Sequence, residues 1–351
     1  MYGENKMKSN PKIKIILIVL GIFIALLPMI TVNLSFITGN SNKSSEHSDK
    51  INLKISAVSE KIHIDNNWTA AKSVGICTGS GTYSDPYIIE DLEIDGGGTG
   101  SCISIVDSDV YFKIQNCTLF NSGANMPNSG ITLINVNNSQ LINNNCSSNW
   151  SGIFLYSSDN NTVVGNTANN NHLGIFLYSD SGNNYISGNN ASYNMNGIDL
   201  SYSNSNTITG NTVNNNNYGV YHLDYSIDNT LYLNNFINNN ENPPSDESHT
   251  WNSPAKIIYT YNGNNYTNYL GNYWDTYTGN DANNDGIGDT RFIIGEVRDN
   301  FPLMEPIENY VIIEMFEPSG SGDAIPGYNP FFLLGILSVV VIFISQKLKK
   351  S

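Results

Sequence analysis

Lysine and arginine are missing from the middle of this 351-residue chain, with none between Ile114 and Ala255. Residues 41–330 carry nine of them against thirty aspartates and glutamates. Nucleic acid is excluded as a partner, because phosphate binding depends on neutralising cations. Calcium, neutral sugars or a saline medium suit such a surface better. A helical apolar stripe is also missing throughout Asn121–Asn240, which excludes an amphipathic-helix fold there. Cysteine is scarce. Cys77, Cys102, Cys117 and Cys146 allow three pairings; Cys77 with Cys102 is the preferred one, and buried free thiols stacked as small apolar residues are the alternative.

What is present is a repeat. Gly130-Ile-Thr-Leu is followed by Gly152-Ile-Phe-Leu, Gly174-Ile-Phe-Leu, Gly197-Ile-Asp-Leu and Gly219-Val-Tyr-His, at spacings of 22, 22, 23 and 22 residues. A fixed period of this size signals stacked units, each too small to bury its own apolar face. Each unit alternates apolar and polar residues over short runs bounded by Asn, Gly, Ser and Asp, the pattern of short strands and tight turns. Equivalent positions form columns: Ile131, Ile153, Ile175, Ile198 and Val220, and beside them Leu133, Leu155, Leu177 and Leu200. Two asparagine columns accompany them, Asn161/Asn184/Asn206/Asn229 and Asn144/Asn166/Asn189/Asn211/Asn234. Stacked amides donate and accept between neighbouring coils. The predicted fold is an all-β parallel β-helix of about six or seven coils. The Leu-x-x-Leu-x-Leu spacing of a leucine-rich repeat is absent.

The ends differ from the middle. Lys6, Lys8, Lys12 and Lys14 precede an apolar run from Ile15 to about Phe36, and Phe331–Ser345 is apolar ahead of Lys347, Lys349 and Lys350. Hydrophobic helices at both ends, with basic residues outside them, place the chain between them on the extracellular side of a membrane. The expected organisation is a signal peptide or anchor over 1–40 and a linker over 41–54. The β-helix follows over 55–245, then a Trp/Tyr-rich cap over 246–308, a linker over 309–330 and a transmembrane or sorting segment over 331–351.

Two candidate sites follow. The outward column after each repeat glycine reads Thr132, Phe154, Phe176, Asp199 and Tyr221, with Tyr156 and Tyr178 two residues beyond the phenylalanines. An exposed aromatic stripe stacks on sugar rings, so Phe154, Tyr156, Phe176, Tyr178, Asp199 and Tyr221 are the candidate ligand contacts; shielding of strand edges is the alternative. In the cap, Asp281-x-Asn283-x-Asp285-Gly286-Ile287-Gly288-Asp289 has the oxygen spacing of a calcium loop, with the Ile287 carbonyl at the seventh position. The twelfth position departs from the pattern, having Phe292 in place of a bidentate glutamate. Glycoside hydrolysis needs paired carboxylates, and Asp199 is the one acid in the outward column. Only turns could add others, from Asp159, Asp180 or Asp224.

Gly81-Thr-Tyr-Ser-Asp-Pro-Tyr-Ile-Ile-Glu90 leads into the Asn-Gly coils, and Gly271-Asn-Tyr-Trp-Asp-Thr-Tyr277 leads into the Asp281–Asp289 loop. Together they resemble archaeal and bacterial surface proteins with the NosD-type, pectin-lyase-like β-helix, a likeness that covers roughly residues 60–306. The resemblance implies right-handed winding and carbohydrate binding. Ile325-Pro-Gly-Tyr-Asn-Pro330 with the apolar run and basic end is similar to archaeal sorting signals, which implies surface attachment. The family name also brings copper, which requires His, Cys or Met ligands; His172, His222, Met126 and Met195 form no clustered motif. The expectation is a membrane-anchored, non-catalytic protein that binds an envelope polysaccharide and holds a structural calcium. A polysaccharide lyase or hydrolase, and an adhesion scaffold for protein partners, are the alternatives.

Overall fold

The computed structural model describes residues 57–221, 225–241, 249–295 and 297–315. The expected helices at the two ends lie outside these residues. No described helix is long and apolar enough to cross a membrane.

The repeat folds as a parallel β-helix with three walls. A first seven-stranded sheet runs from Ile62–Asp65 to Tyr218–Tyr221, and a second from Tyr87–Glu90 to Thr230–Tyr232. Single bridges join Thr118, Asn145, Thr167 and Asn190 into the middle of a third, sparser wall. Pairing is in register at the repeat spacing, so Ile153 lies beside Ile131 and Ile175, and Leu155 beside Leu133 and Leu177. Both columns expected from the sequence are almost completely buried. Each such side chain contributes roughly 1.5–3 kcal/mol.

The third wall explains the repeat glycine. Its inward column runs Ile94, Leu119, Cys146, Ala168, Ala191, Val213, Phe236 and Trp274, small in the middle and large at the ends. A Cβ on Gly152 would stand 2.7 Å from the Ala168 Cβ and 2.6 Å from the Gly174 carbonyl oxygen. The glycines are therefore needed for a close approach across the interior.

Corners are built from one rule. A residue with positive φ turns the chain, and the next side chain bonds to the neighbouring coil. Asn143, Gly165, Gly188 and Gly210 have φ between 53° and 69° and precede Asn144, Asn166, Asn189 and Asn211. Asn and Gly adopt this conformation at little cost. The Asn189 Oδ1 accepts from the Asn166 backbone N–H at 2.8 Å, while its Nδ2 donates to the Val163 carbonyl at 2.9 Å and to Asn211 Oδ1 at 2.9 Å. Both expected asparagine columns form such ladders. A third, Asn149/Asn171/Asn194/Asn216/Asn239, and a serine column containing Ser158, Ser181 and Ser226 complete the corners.

Tryptophans close both ends. Trp68, on a short helix Trp68–Ser73, stacks on Tyr87 and Phe112 and donates from Nε1 to Ser108 Oγ at 2.8 Å. At the other end Phe236, Trp274, Trp251 and Phe292 pack ring on ring. The cap adds an antiparallel sheet of Ile257–Tyr261, Asn264–Asn268 and Tyr310–Met315, which carries it past the expected end at residue 308.

The second asparagine ladder continues into the cap through Asn272, which receives the Asn234 N–H at 3.1 Å. In this ladder each rung's backbone N–H is satisfied by the rung that follows, so the last rung needs an acceptor from outside the repeat. Asp299 supplies it. Its Oδ2 takes the Asn272 N–H at 2.7 Å and the Trp274 indole N–H at 2.9 Å, and its Oδ1 takes the Phe301 N–H at 3.0 Å. Burial pushes this carboxyl up to about 6, against the opposing pull of those donors.

The expected Cys77–Cys102 disulfide is not formed, and all four cysteines are buried free thiols. Cys77 sits under the short helix, its Sγ facing the Trp68 carbonyl, whereas Cys102 faces the Phe120 carbonyl. Burial pushes Cys102 and Cys117 up to about 11 and holds Cys146 well above the ordinary thiol range.

Candidate functional site

Strand register sets the outward column of the first sheet as His63, Ser104, Thr132, Phe154, Phe176, Asp199 and Tyr221. The expectation that this column is an exposed aromatic stripe needs correction. Phe154 is 1% exposed, Phe176 6% and Asp199 2%. The two phenyl rings stack at 5.1 Å and pack with Leu173 and Tyr178 into a small apolar cluster of their own. Rings one coil apart lie close enough to cover each other. Asp199 accepts from Asn196 Nδ2 at 2.8 Å and Ser201 Oγ at 3.1 Å, and Tyr221 is half-buried.

The accessible aromatic surface lies beside that column. Tyr156, Tyr178, Tyr202 and Tyr225 form a row with ring separations of 5.8, 6.3 and 5.0 Å. Tyr202 and Tyr225 were outside the sequence-predicted site, because they leave the strands and stand on the corner after them. The repeated pair Tyr202-Ser203 and Tyr225-Ser226, 23 residues apart, is the signal that marks them. At the amino end of the same face a cleft of about 300 Å³ is lined by Lys61, His63, Ser104, Thr132 and Ile134. Ile134 pairs with Tyr156, so the cleft adjoins the row.

Asp159 Oδ1 accepts the Gly182 N–H at 2.6 Å, Asp180 is exposed, and Asp224 lies outside the described residues. Among the described residues no group of three His, Cys, Asp or Glu side chains is placed to hold a metal ion.

In the Asp281–Asp289 loop the oxygens face the loop's own backbone. Asp281 accepts from the N–H groups of Asp285 and Gly286 at 3.1 and 2.8 Å, Asp285 from Ile287 at 2.9 Å, and Asp289 from Ala282 at 2.9 Å. Asn283 is exposed and donates to Asp285 Oδ2 at 3.1 Å. The Ile287 side chain is buried in the cap core. Hydroxyls of Tyr266, Tyr259 and Tyr310 hold the carbonyls of Asn284, Asp285 and Gly286 at 2.8, 2.9 and 2.5 Å. A Cβ at Gly286, whose φ is 86°, would run into Tyr261 and Tyr310.

No curated protein matches the chain. The family model described as periplasmic copper-binding protein (NosD) matches residues 79–279, more than half of the sequence. With its in-register parallel coils and that match, the chain belongs to the NosD family.

Proposed function

We propose that the protein is an extracytoplasmic, non-catalytic β-helix protein that binds an envelope glycan on the outward face of its first sheet. The family description, periplasmic, supports the compartment. The accessible tyrosines on a face without lysine or arginine between Ile114 and Ala255 carry the binding reading, since aromatic rings stack on sugars and cations are what a nucleic acid would need. Anchoring by the terminal apolar segments belongs to the same proposal. Glycan-array binding by the purified protein tests it. Binding without new reducing ends or unsaturated uronates is the expected result, and cleavage of any polysaccharide in a panel would overturn the non-catalytic part.

The family description names copper, but the described side chains do not fit it. Copper sites gather His, Cys or Met ligands. His172 stacks flat on Trp150 at 4.2 Å, Met126 and Met195 are separately exposed, and the four thiols are buried and pushed upward in pKa, which keeps them protonated. His222 lies outside the described residues.

Calcium at residues 281–289 is a subsidiary part of the proposal, supported by the oxygen spacing and by the positive φ at Gly286. The loop is already closed by its own hydrogen bonds, so an ion would add to it rather than build it. Calorimetry with millimolar calcium tests this; a measurable heat that disappears in Asp281→Ala supports the site, and no heat removes it.

A further inference from the structure

The corner that follows the first sheet repeats a positive-φ position in six successive coils: Asp107, Asn135, Ser157, Asp180, Tyr202 and Tyr225, with φ from 46° to 63°. The first four are residues whose short polar side chains suit that conformation. Tyrosine does not share this advantage, and a bulky side chain there is an outlier that the turn itself does not call for. Nor is either ring spent on the core, since Tyr202 is 49% and Tyr225 75% exposed. The two rings nonetheless lie parallel, 9° between planes and 5.0 Å apart. They extend the row begun by Tyr156 and Tyr178, whose neighbours Phe154 and Phe176 are buried. Exposure is greatest at the far end of the row: Tyr156 is 37% exposed and Tyr178 half-buried, whereas Tyr225 reaches 75%.

From this we infer that Tyr202 and Tyr225 are the principal contacts of a binding platform. Its ligand is a neutral polysaccharide chain lying along the solenoid axis, with one ring offered per coil. The inference rests on the glycan-binding reading and adds the location, the direction and the charge of the ligand. Neutrality follows from the surroundings. Asp180 stands one coil before Tyr202 in the same corner column, Asp159 and Asp228 occupy the turn beside it, and the coils that carry the row, between Ile114 and Ala255, contain no lysine or arginine. A polyanion would meet like charge and no cation to neutralise it. Neutral sugars need no cation and present flat C–H faces to the rings, while the amides and hydroxyls around the row match their hydroxyl groups.

The test uses the whole protein and neutral oligosaccharides of two to six hexose or N-acetylhexosamine units, with polygalacturonate as the anionic comparator. Wild-type affinity is expected to rise from two units to four and to be insensitive to salt. Tyr202→Asn/Tyr225→Asn keeps residues suited to positive φ, so the variant is expected to melt as cooperatively as wild type while binding weakens by about tenfold or more. Tyr193→Asn is the control; Tyr193 has φ 60° and is 60% exposed, but it stands on a different corner, so binding is expected to be unchanged. If no glycan binds wild type, the glycan reading itself fails. If glycans bind wild type and the double variant equally, or polygalacturonate binds best, the platform is overturned while glycan binding stands. Affinity that does not change with chain length also overturns the axial placement.

Discussion

The repetitive coils and the carboxy-terminal cap solve the same problem, satisfying buried backbone groups, in opposite ways. In the coils one device is used over and over: a positive-φ residue followed by an amide or hydroxyl that reaches the neighbouring coil. No charge takes part in these ladders. In the cap each contact is used once, as when the hydroxyls of Tyr259, Tyr266 and Tyr310 hold three successive carbonyls. The junction between the two regions teaches the most. A ladder of asparagines is directional, so its last rung ends on a donor. An acceptor from outside the repeat must receive it, and Asp299 supplies one, fully buried and bonded to Asn272, Trp274 and Phe301.

The largest effect that would break this contrast lies in the coils. Gly152→Val places side-chain atoms against Ala168 and the Gly174 carbonyl, where even a Cβ has no room. A loss of more than about 3 kcal/mol is expected, measured as the absence of a cooperative melt, because the wall cannot shift without moving every coil. A variant that melts like wild type would show that the interior is looser than described.

Asp299→Asn comes next, with a loss of about 3 kcal/mol, because an amide NH2 would face buried N–H donors. The acid also gives the junction a pH signature. Its folded pKa of about 6 lies above the ordinary 3.8. Its contribution is therefore fully present below about pH 4 and is lost as pH rises through about 6, by roughly 2–3 kcal/mol. Urea melts across that window should show the slope in wild type and not in Asp299→Asn. Within the coils, Asn189→Ala should cost about 2 kcal/mol by the same melts, since it leaves the Asn166 N–H unpaired in the interior and removes the bond to the Val163 carbonyl. A cost equal to that of a surface asparagine would remove the ladder from the energetics.

Smallest is the effect of Cys146→Ala, about 1 kcal/mol, because the same column already accommodates Ala168 and Ala191. All four thiols are expected to resist alkylation until the protein unfolds; rapid labelling of the native protein would contradict their burial and raised pKa values.

The inward Ile and Leu columns and two asparagine ladders were legible in the sequence because they recur at one spacing amid residues of different character. The third ladder was not, since Asn171, Asn216 and Asn239 sit in asparagine runs whose members look alike, while Asn149 and Asn194 stand between quite different neighbours. Alternation along a strand placed Phe154 and Phe176 correctly on the outward face, but outward is not the same as exposed. Their rings bury each other, and the accessible surface passes to Tyr202 and Tyr225, one corner beyond the strand. Asp299 reads as an ordinary surface acid, because nothing within its own segment reveals that a ladder ends there.

The central claim is that coils stack in register, one repeat length apart. Thr162, Tyr185 and Thr207 are successive partners on the second sheet, and parallel neighbours lie about 4.8 Å apart, within disulfide reach. Oxidation of Thr162→Cys/Tyr185→Cys should therefore crosslink the native protein within the chain, while Thr162→Cys/Thr207→Cys, two coils apart, should not. Crosslinking of the second pair, or failure of the first, would contradict the stacking on which the ladders and the tyrosine row depend.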